Sequence, residues 1–134
     1  MSMHLEIVTV EQTLFEGDVD AVIAPGELGQ LGILPKHAPL MTTLMPGRLR
    51  CRTGSGETSF VVHGGFIEIT GERVVVLADA AENLDVLDVE RAEESKRRAE
   101  ERIALGNNES IDTERALRSL GRARTRLLAA IERR

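Results

Sequence analysis

From Met3 to about Ala81 the chain alternates apolar and polar residues with a period of two. The runs LEIVTV, DVDAVIAP, LRCRT, TSFVV, GFIEIT and RVVVLA are short and rich in Val, Ile and Thr. They recur every 8 to 12 residues, set off by Gly17, Pro25-Gly26, Pro46-Gly47, Gly54-Ser55-Gly56, Gly64-Gly65 and Gly71. Strand-forming runs at this spacing, punctuated by turn residues, predict an all-β sandwich or barrel. This half has no helical periodicity.

From Asp85 the pattern changes. VERAEESKRRAEERIAL and ERALRSLGRARTRLLAAIERR are strong helix formers, separated only by GNNES at 106–110. Gly106 is a helix stop, and Ser110 or Asp112 is a fitting N-cap for the second helix. So short a loop predicts antiparallel neighbours. Ala92, Ser95, Ala99 and Ile103 share one face of the first helix; Ala116, Leu120, Ala123, Leu127 and Ile131 share one face of the second. The expected fold is therefore β plus α: an N-terminal β-sandwich over 1–84, then an antiparallel two-helix hairpin over 85–134. Each helix spends its single apolar stripe largely on the other. Docking of the hairpin on the sandwich is then modest in energy, and the hairpin is expected to detach.

Composition narrows the function. The chain has 134 residues, 42% of them hydrophobic, which suits one domain with an appendage and a packed core. Three Phe with no Trp or Tyr leave little for ring-stacking on single-stranded nucleic acid or carbohydrate. A net charge of −5 excludes general nucleic-acid binding. A single cysteine excludes an internal disulfide and a cysteine-rich zinc site, and Cys51, between Arg50 and Arg52, is expected to point inward. No apolar run approaches the ~20 residues that span a bilayer, and MSMHLEIVTVEQ lacks a signal-peptide pattern. The expectation is a soluble, intracellular protein, held at a membrane only through partners.

Charge is divided unevenly. Residues 1–84 carry 5 Lys/Arg and 11 Asp/Glu, whereas residues 85–134 carry 12 and 11. From Arg115 to Arg134 there are seven Arg and one acid, Glu132, and Arg115, Arg118, Arg122 and Arg126 line one stripe. A stripe of this kind is commonly just a solvated face. Like charges at i,i+4 nevertheless cost a few tenths of a kcal/mol each, so an acidic or phosphate-bearing partner is the sharper reading.

Catalytic signatures are missing. G-x-x-x-x-G-K-[ST], G-x-S-x-G and H-E-x-x-H do not occur, and the three histidines, His4, His37 and His63, lie on separate segments. Asp88, Glu90, Glu93 and Glu94 crowd a helix start, where the macrodipole favours acids. Gly64-Gly65 reads as a tight strand connection or a bulge. That leaves GQLGILPKHAPL, Gly29 to Leu40, as either a loop built around His37 or a docking surface.

GQLGILPKHAPL, VVHGGFIEI at 61–69 and LDVERA at 87–92 together resemble the epsilon subunit family of F-type ATP synthases, bacterial and chloroplast type. The first follows the family pattern G-x-L-G-I-x-P-x-H-A-P-L, and the resemblance runs in order through the whole chain. It implies a β-sandwich of about ten strands and a C-terminal helical hairpin. It also implies a non-catalytic rotor subunit of a proton-translocating enzyme, with gamma, the c-ring, alpha and beta as partners. By that resemblance Leu28, Gly29, Gln30, Leu31 and Gly32 form the c-ring docking loop with Gln30 at its tip, where many relatives have an acid, and His37 lies near the gamma interface. Gly29 and Gly32 shape the tip, Ile33 and Leu34 return to the core, and Pro35 and Pro39 stiffen the approach to the next strand.

The resemblance makes the hairpin regulatory. In many bacterial relatives it folds down on the sandwich or extends beside gamma and inhibits ATP hydrolysis; Arg115, Arg118, Arg122 and Arg126 then suit an acidic segment of beta. Some relatives bind ATP through I/L-D-x-x-R-A, matched here by Leu87, Asp88, Arg91 and Ala92, with Glu82 upstream and Arg122 and Arg126 on the second helix. The same string also reads as a helix start with an Asp88–Arg91 pair. No cofactor is required; ATP is the regulatory ligand implied. The place implied is the cytoplasmic face of a bacterial plasma membrane, or the stromal thylakoid face for a plastid-encoded chain, without insertion into the bilayer. Two rivals stand beside this reading: a free-standing ATP sensor with no ATPase partner, and a small hydrolase using His37 or His63.

Overall fold

In this computed structural model residues 2–54, 56–86, 89–104 and 113–132 are described. The chain divides into two units, Met1–Val86 and Leu87–Arg134. The first is built from β1 (Met3–Val8), β2 (Thr13–Val19), β3 (Ala21–Gly26), β4 (Gly29–Ile33), β5 (Leu40–Thr53), β6 (Gly56–Thr70), β7 (Arg73–Ala78) and β8 (Ala81–Asn83). They join in the order β2-β1-β7-β6-β5-β3-β4, with β8 on β6. The β1–β7 pair is parallel and the other pairs are antiparallel.

Among the described residues there are eight strands, where the resemblance implied about ten. Pro46-Gly47 and Gly64-Gly65, which read as turns, lie inside β5 and β6. These strands of 14 and 15 residues pair from Leu40↔Ile69 to Thr53↔Gly56 with no shift of register. Up to Val62, β6 has β8 beside it; from Gly65 onward it has β7. Gly64 and Gly65, at φ 103° and 129°, turn the strand between these two partners. The long strands thereby carry the sheet over into a sandwich. Phe15 of β2 meets Phe60 of β6 edge to face, ring centroids 5.8 Å apart, although the two strands are not paired.

The period-two pattern fills the space between the layers. Leu5 and Ile7, Val22, Leu49 and Cys51, Phe60 and Val62, Ile67, Val74 and Val76 are fully buried. Burial of each large side chain contributes about 1.5–3 kcal/mol, so the alternating positions account for most of what holds the unit together. The Cys51 thiol points into this core, as expected, and desolvation pushes its pKa up to about 11. It therefore stays protonated and is no nucleophile. Leu84 is also buried, and a 3-10 turn, Leu84–Val86, belongs with the sandwich unit. The unit runs to Val86.

The second unit consists of α1 (Val89–Ala104) and α2 (Thr113–Glu132), packed on one another. The start of α1 at Val89 shares a groove with Leu127, Ala130 and Ile131 near the end of α2, so the pair is antiparallel. Ala92 and Ala99 on α1 and Ala116, Leu120 and Ala123 on α2 are buried, with Ser95, Ile103 and Leu127 half-buried. Ile131 departs from the expected stripe and is 64% exposed, while Ala129 is buried. The groove that Ile131 lines is bordered on α1 mostly by charged side chains, Glu93, Lys96, Arg97, Glu100 and Glu101, with Val89 the one apolar residue there among the described residues. The expected stop at Gly106 and caps at Ser110 or Asp112 lie outside the described residues. Among the described residues no helix is long and apolar enough to cross a membrane.

Candidate functional site

The motif at 29–40 begins as a strand rather than a loop. Gly26 and Gly29 face each other across β3 and β4, so Glu27 and Leu28 form the hairpin tip, both fully outward. Gly29 takes φ 121°, which glycine adopts without strain. Gln30, expected at the tip, instead pairs with Pro25 on β4, and Leu31 pairs with Ala24. The acid at the tip is Glu27. Ile33 is buried as expected, but Leu34 is 63% exposed instead of returning to the core. It opens a turn in which the His37 amide donates to the Leu34 carbonyl at 3.2 Å, with Lys36 at φ 71°. Alternation ends with β4, so the next side chain is released to solvent.

His37 Nδ1–H donates to its neighbour's carbonyl, Ala38 O, at 2.6 Å, which fixes the ring beside the start of β5. Pro39, Leu40, Met41, Glu68, Ile69 and Thr70 line a shallow groove of about 310 Å³ there. From this groove an apolar strip crosses the outer face of the sheet. Thr43 pairs with Phe66, and Phe66 with Leu77, so Met41, Met45, Phe66 and Leu77 project to one side. They are 65%, 45%, 52% and 48% exposed. Sequence reasoning missed these four. The signal was present: LMTTLM, GFIEI and RVVVL are apolar at outward as well as inward positions, whereas a solvated face alternates cleanly.

The residues singled out for nucleotide binding are divided between the units. Glu82, half-buried on β8, lies in the first; Arg91, Ala92, Arg122 and Arg126 lie in the second. Leu87 and Asp88 lie outside the described residues. Glu82 Oε1 is 3.4 Å from His63 Nε2, and the His63 side chain is only 6% exposed. His63 is thus occupied in holding a carboxylate. On α2, Arg115, Arg118 and Arg122 are exposed and Arg126 half-buried, and on α1 Arg91 is exposed beside the buried Ala92. The other two histidines are occupied too, His37 by a carbonyl and His4 by Asp18 and Glu16. The three rings sit on different elements, and none is poised against a nucleophile that the structure records.

Residues 2–84 match the family described as ATP synthase, Delta/Epsilon chain, beta-sandwich domain, and residues 85–130 its long alpha-helix domain. The chain is 47% identical over 129 residues to the ATP synthase epsilon chain of Desulforamulus reducens, covering 96% of this chain and 97% of that one. It is 44% identical over 126 residues to the ATP synthase epsilon chain of Halalkalibacterium halodurans, covering 94% and 95%. In fold it resembles a chain of the Euglena gracilis mitochondrial ATP synthase OSCP/F1/c-ring structure, with TM-score 0.76, 18% identity, and 98% and 80% of the two chains covered. It also resembles a chain of the Tetrahymena thermophila mitochondrial ATP synthase central stalk and c-ring, with TM-score 0.61, 16% identity, and 99% and 96% covered.

Proposed function

The chain belongs to the ATP synthase delta/epsilon family, as an epsilon subunit and a non-catalytic part of the central stalk, and from that premise we propose how its surfaces divide the work. The β3–β4 hairpin tip, Glu27 and Leu28 flanked by Gly29 to Gly32, docks on the c-ring. Leu28 offers an exposed apolar contact and Glu27 an acid. The strip Met41, Met45, Phe66 and Leu77, with the His37 turn at its edge, binds gamma. The helical hairpin restrains rotation by reaching the catalytic head with the Arg115, Arg118, Arg122 and Arg126 stripe. The subunit works at the cytoplasmic face of a proton-translocating enzyme, held there by its partners.

The apolar strip carries this reading. A sheet face in water is normally polar, and four large apolar side chains on three adjacent strands are the mark of an interface core. Phe66→Glu puts a charge in the middle of that strip without touching the buried face. Its affinity for the isolated gamma subunit, measured by pull-down or interferometry, is expected to fall at least tenfold, roughly 1.4 kcal/mol or more. Unchanged binding by both Phe66→Glu and Met41→Glu, each with a wild-type circular dichroism spectrum, would move the gamma interface elsewhere.

ATP sensing is part of the same proposal. Two guanidinium forks on α2, Arg122 and Arg126, suit phosphate oxygens. Replacing Arg122 and Arg126 together with Ala removes two charge-assisted donors, worth about 1.5–3 kcal/mol each when fully used. Calorimetric titration of the isolated protein with ATP is then expected to show at least a tenfold weaker constant. An affinity that stays the same would place the nucleotide on other residues.

A further inference from the structure

The outer face of β1 and β2 carries a side-chain cluster that none of these roles uses. Strand alternation sends Leu5 and Ile7 into the core and His4 and Glu6 outward, and register sets His4 opposite Asp18 and Glu6 opposite Glu16. His4 Nε2 lies 3.3 Å from Glu16 Oε1, and His4 Nδ1 lies 3.3 Å from Asp18 Oδ1. One ligand atom from each of His4, Glu6 and Glu16 falls within 4.8 Å of the others. We propose that His4 Nε2 and the Glu6 and Glu16 carboxylates bind a divalent transition cation of the zinc class, with Asp18 orienting the imidazole.

The donors have the right chemistry and lie within rotamer reach of one ion. Imidazole nitrogen and carboxylate oxygen hold zinc at about 2.0–2.2 Å in tetrahedral geometry, so two donors of one ion stand roughly 3.4 Å apart. The side chains are at least partly exposed and close the remaining distance, up to about 1.4 Å, by rotating about their χ angles. An imidazole in the set selects zinc-class ions over magnesium or calcium, which take oxygen alone. With Nδ1–H donating to Asp18, the Nε2 lone pair is left aimed at the carboxylates, the arrangement in which a second carboxylate supports a metal-bound histidine. The strands gain from occupancy as well. Glu6 and Glu16 are like charges placed directly across a strand pair, a destabilising arrangement when nothing sits between them.

Two resident cations compete. Arg73 Nη2 donates to Glu6 Oε1 at 3.2 Å, leaving the other carboxylate oxygen for the ion. The proton on His4 is the second, since Asp18 first and Glu16 next raise the imidazole's pKa above its usual value. Zinc takes the deprotonated imidazole and so competes with that proton.

Zinc chloride titrated calorimetrically into the full chain at about pH 7.5, above the usual histidine range, is expected to show one ion bound per chain, with no heat from magnesium chloride. His4→Ala and Glu16→Gln are expected to weaken binding at least tenfold, and Asp18→Asn about tenfold, while His37→Ala leaves it intact. The His4 ring protons are expected to shift on zinc addition in NMR spectra of the wild type. Absence of zinc uptake overturns the proposal, as does uptake that survives His4→Ala or is lost in His37→Ala. In those cases His4 is only a protonated bridge between Glu16 and Asp18.

Discussion

Gly65→Ala is expected to be the most damaging single methyl that can be added to this chain. A Cβ at Gly65 would lie 2.2 Å from the Leu77 carbonyl oxygen and 2.8 Å from the Ala78 Cα, both backbone atoms of the neighbouring strand. Neither can move without breaking the β6–β7 ladder that pairs Gly65 with Ala78. The residue also sits at φ 129°, where any Cβ is strained. Backbone strain of about 1–3 kcal/mol adds to an overpacking penalty of similar size, so a loss above roughly 3 kcal/mol is expected. For a unit of this size that is a fall in melting temperature of more than about 12 °C.

Neighbouring glycines give the comparison its force. Gly29 has a similar φ of 121° but nothing within 4 Å of a Cβ, so Gly29→Ala carries the strain alone and is expected to cost about half as much or less. Gly32 has neither constraint, and Gly32→Ala is expected to be close to neutral. If thermal unfolding ranked Gly65→Ala with Gly32→Ala, the close approach of β6 to β7 would be wrong. The second glycine of GGF is therefore explained by packing: it lets β6 change partners at the edge of the core.

Period-two alternation located the strands because burial of one face is what makes a strand stable in a sandwich. The alternation could not tell a glycine that ends a strand from one that bends it, since both break the side-chain pattern alike. Hence Pro46-Gly47 read as a turn and Gly64-Gly65 as either a tight connection or a bulge, while both lie inside continuous strands. The β3–β4 tip was misplaced for the same reason. Gly29 and Gly32 look equivalent in the sequence, and only the pairing of Gly26 with Gly29 shows that the turn is made by Glu27 and Leu28. The helix stripes were legible wherever both helices supply small or apolar residues. They failed at Ile131, where the groove side chains on α1 are mostly charged. The outward strip on β5, β6 and β7 was visible as apolar residues at the wrong parity. The His63–Glu82 and His4–Glu16 pairs were not legible, because partners 19 and 12 residues apart meet only through strand register.

Removal of the hairpin, by ending the chain after Val86, is expected to raise ATP hydrolysis by the assembled enzyme several-fold while leaving gamma binding intact. The cut follows the packing. Leu84 is buried in the sandwich unit and Asp85 N–H donates to Asn83 Oδ1 at 2.8 Å, so ending after Val86 keeps the last turn of that unit. Nothing in the core from Met3 to Ala78 is lost, and the truncated chain should unfold cooperatively on its own. If the hairpin restrains rotation through its cationic stripe, Arg115→Gln, Arg118→Gln and Arg122→Gln combined should give part of the same increase. That part should shrink as salt rises, because attraction between exposed charges is screened beyond about 8 Å at physiological ionic strength. Truncation would keep its full effect at any salt. The two variants thus separate a steric arm from an electrostatic one. Hydrolysis unchanged by truncation would leave the hairpin without an inhibitory role in this subunit, whatever its arginines touch.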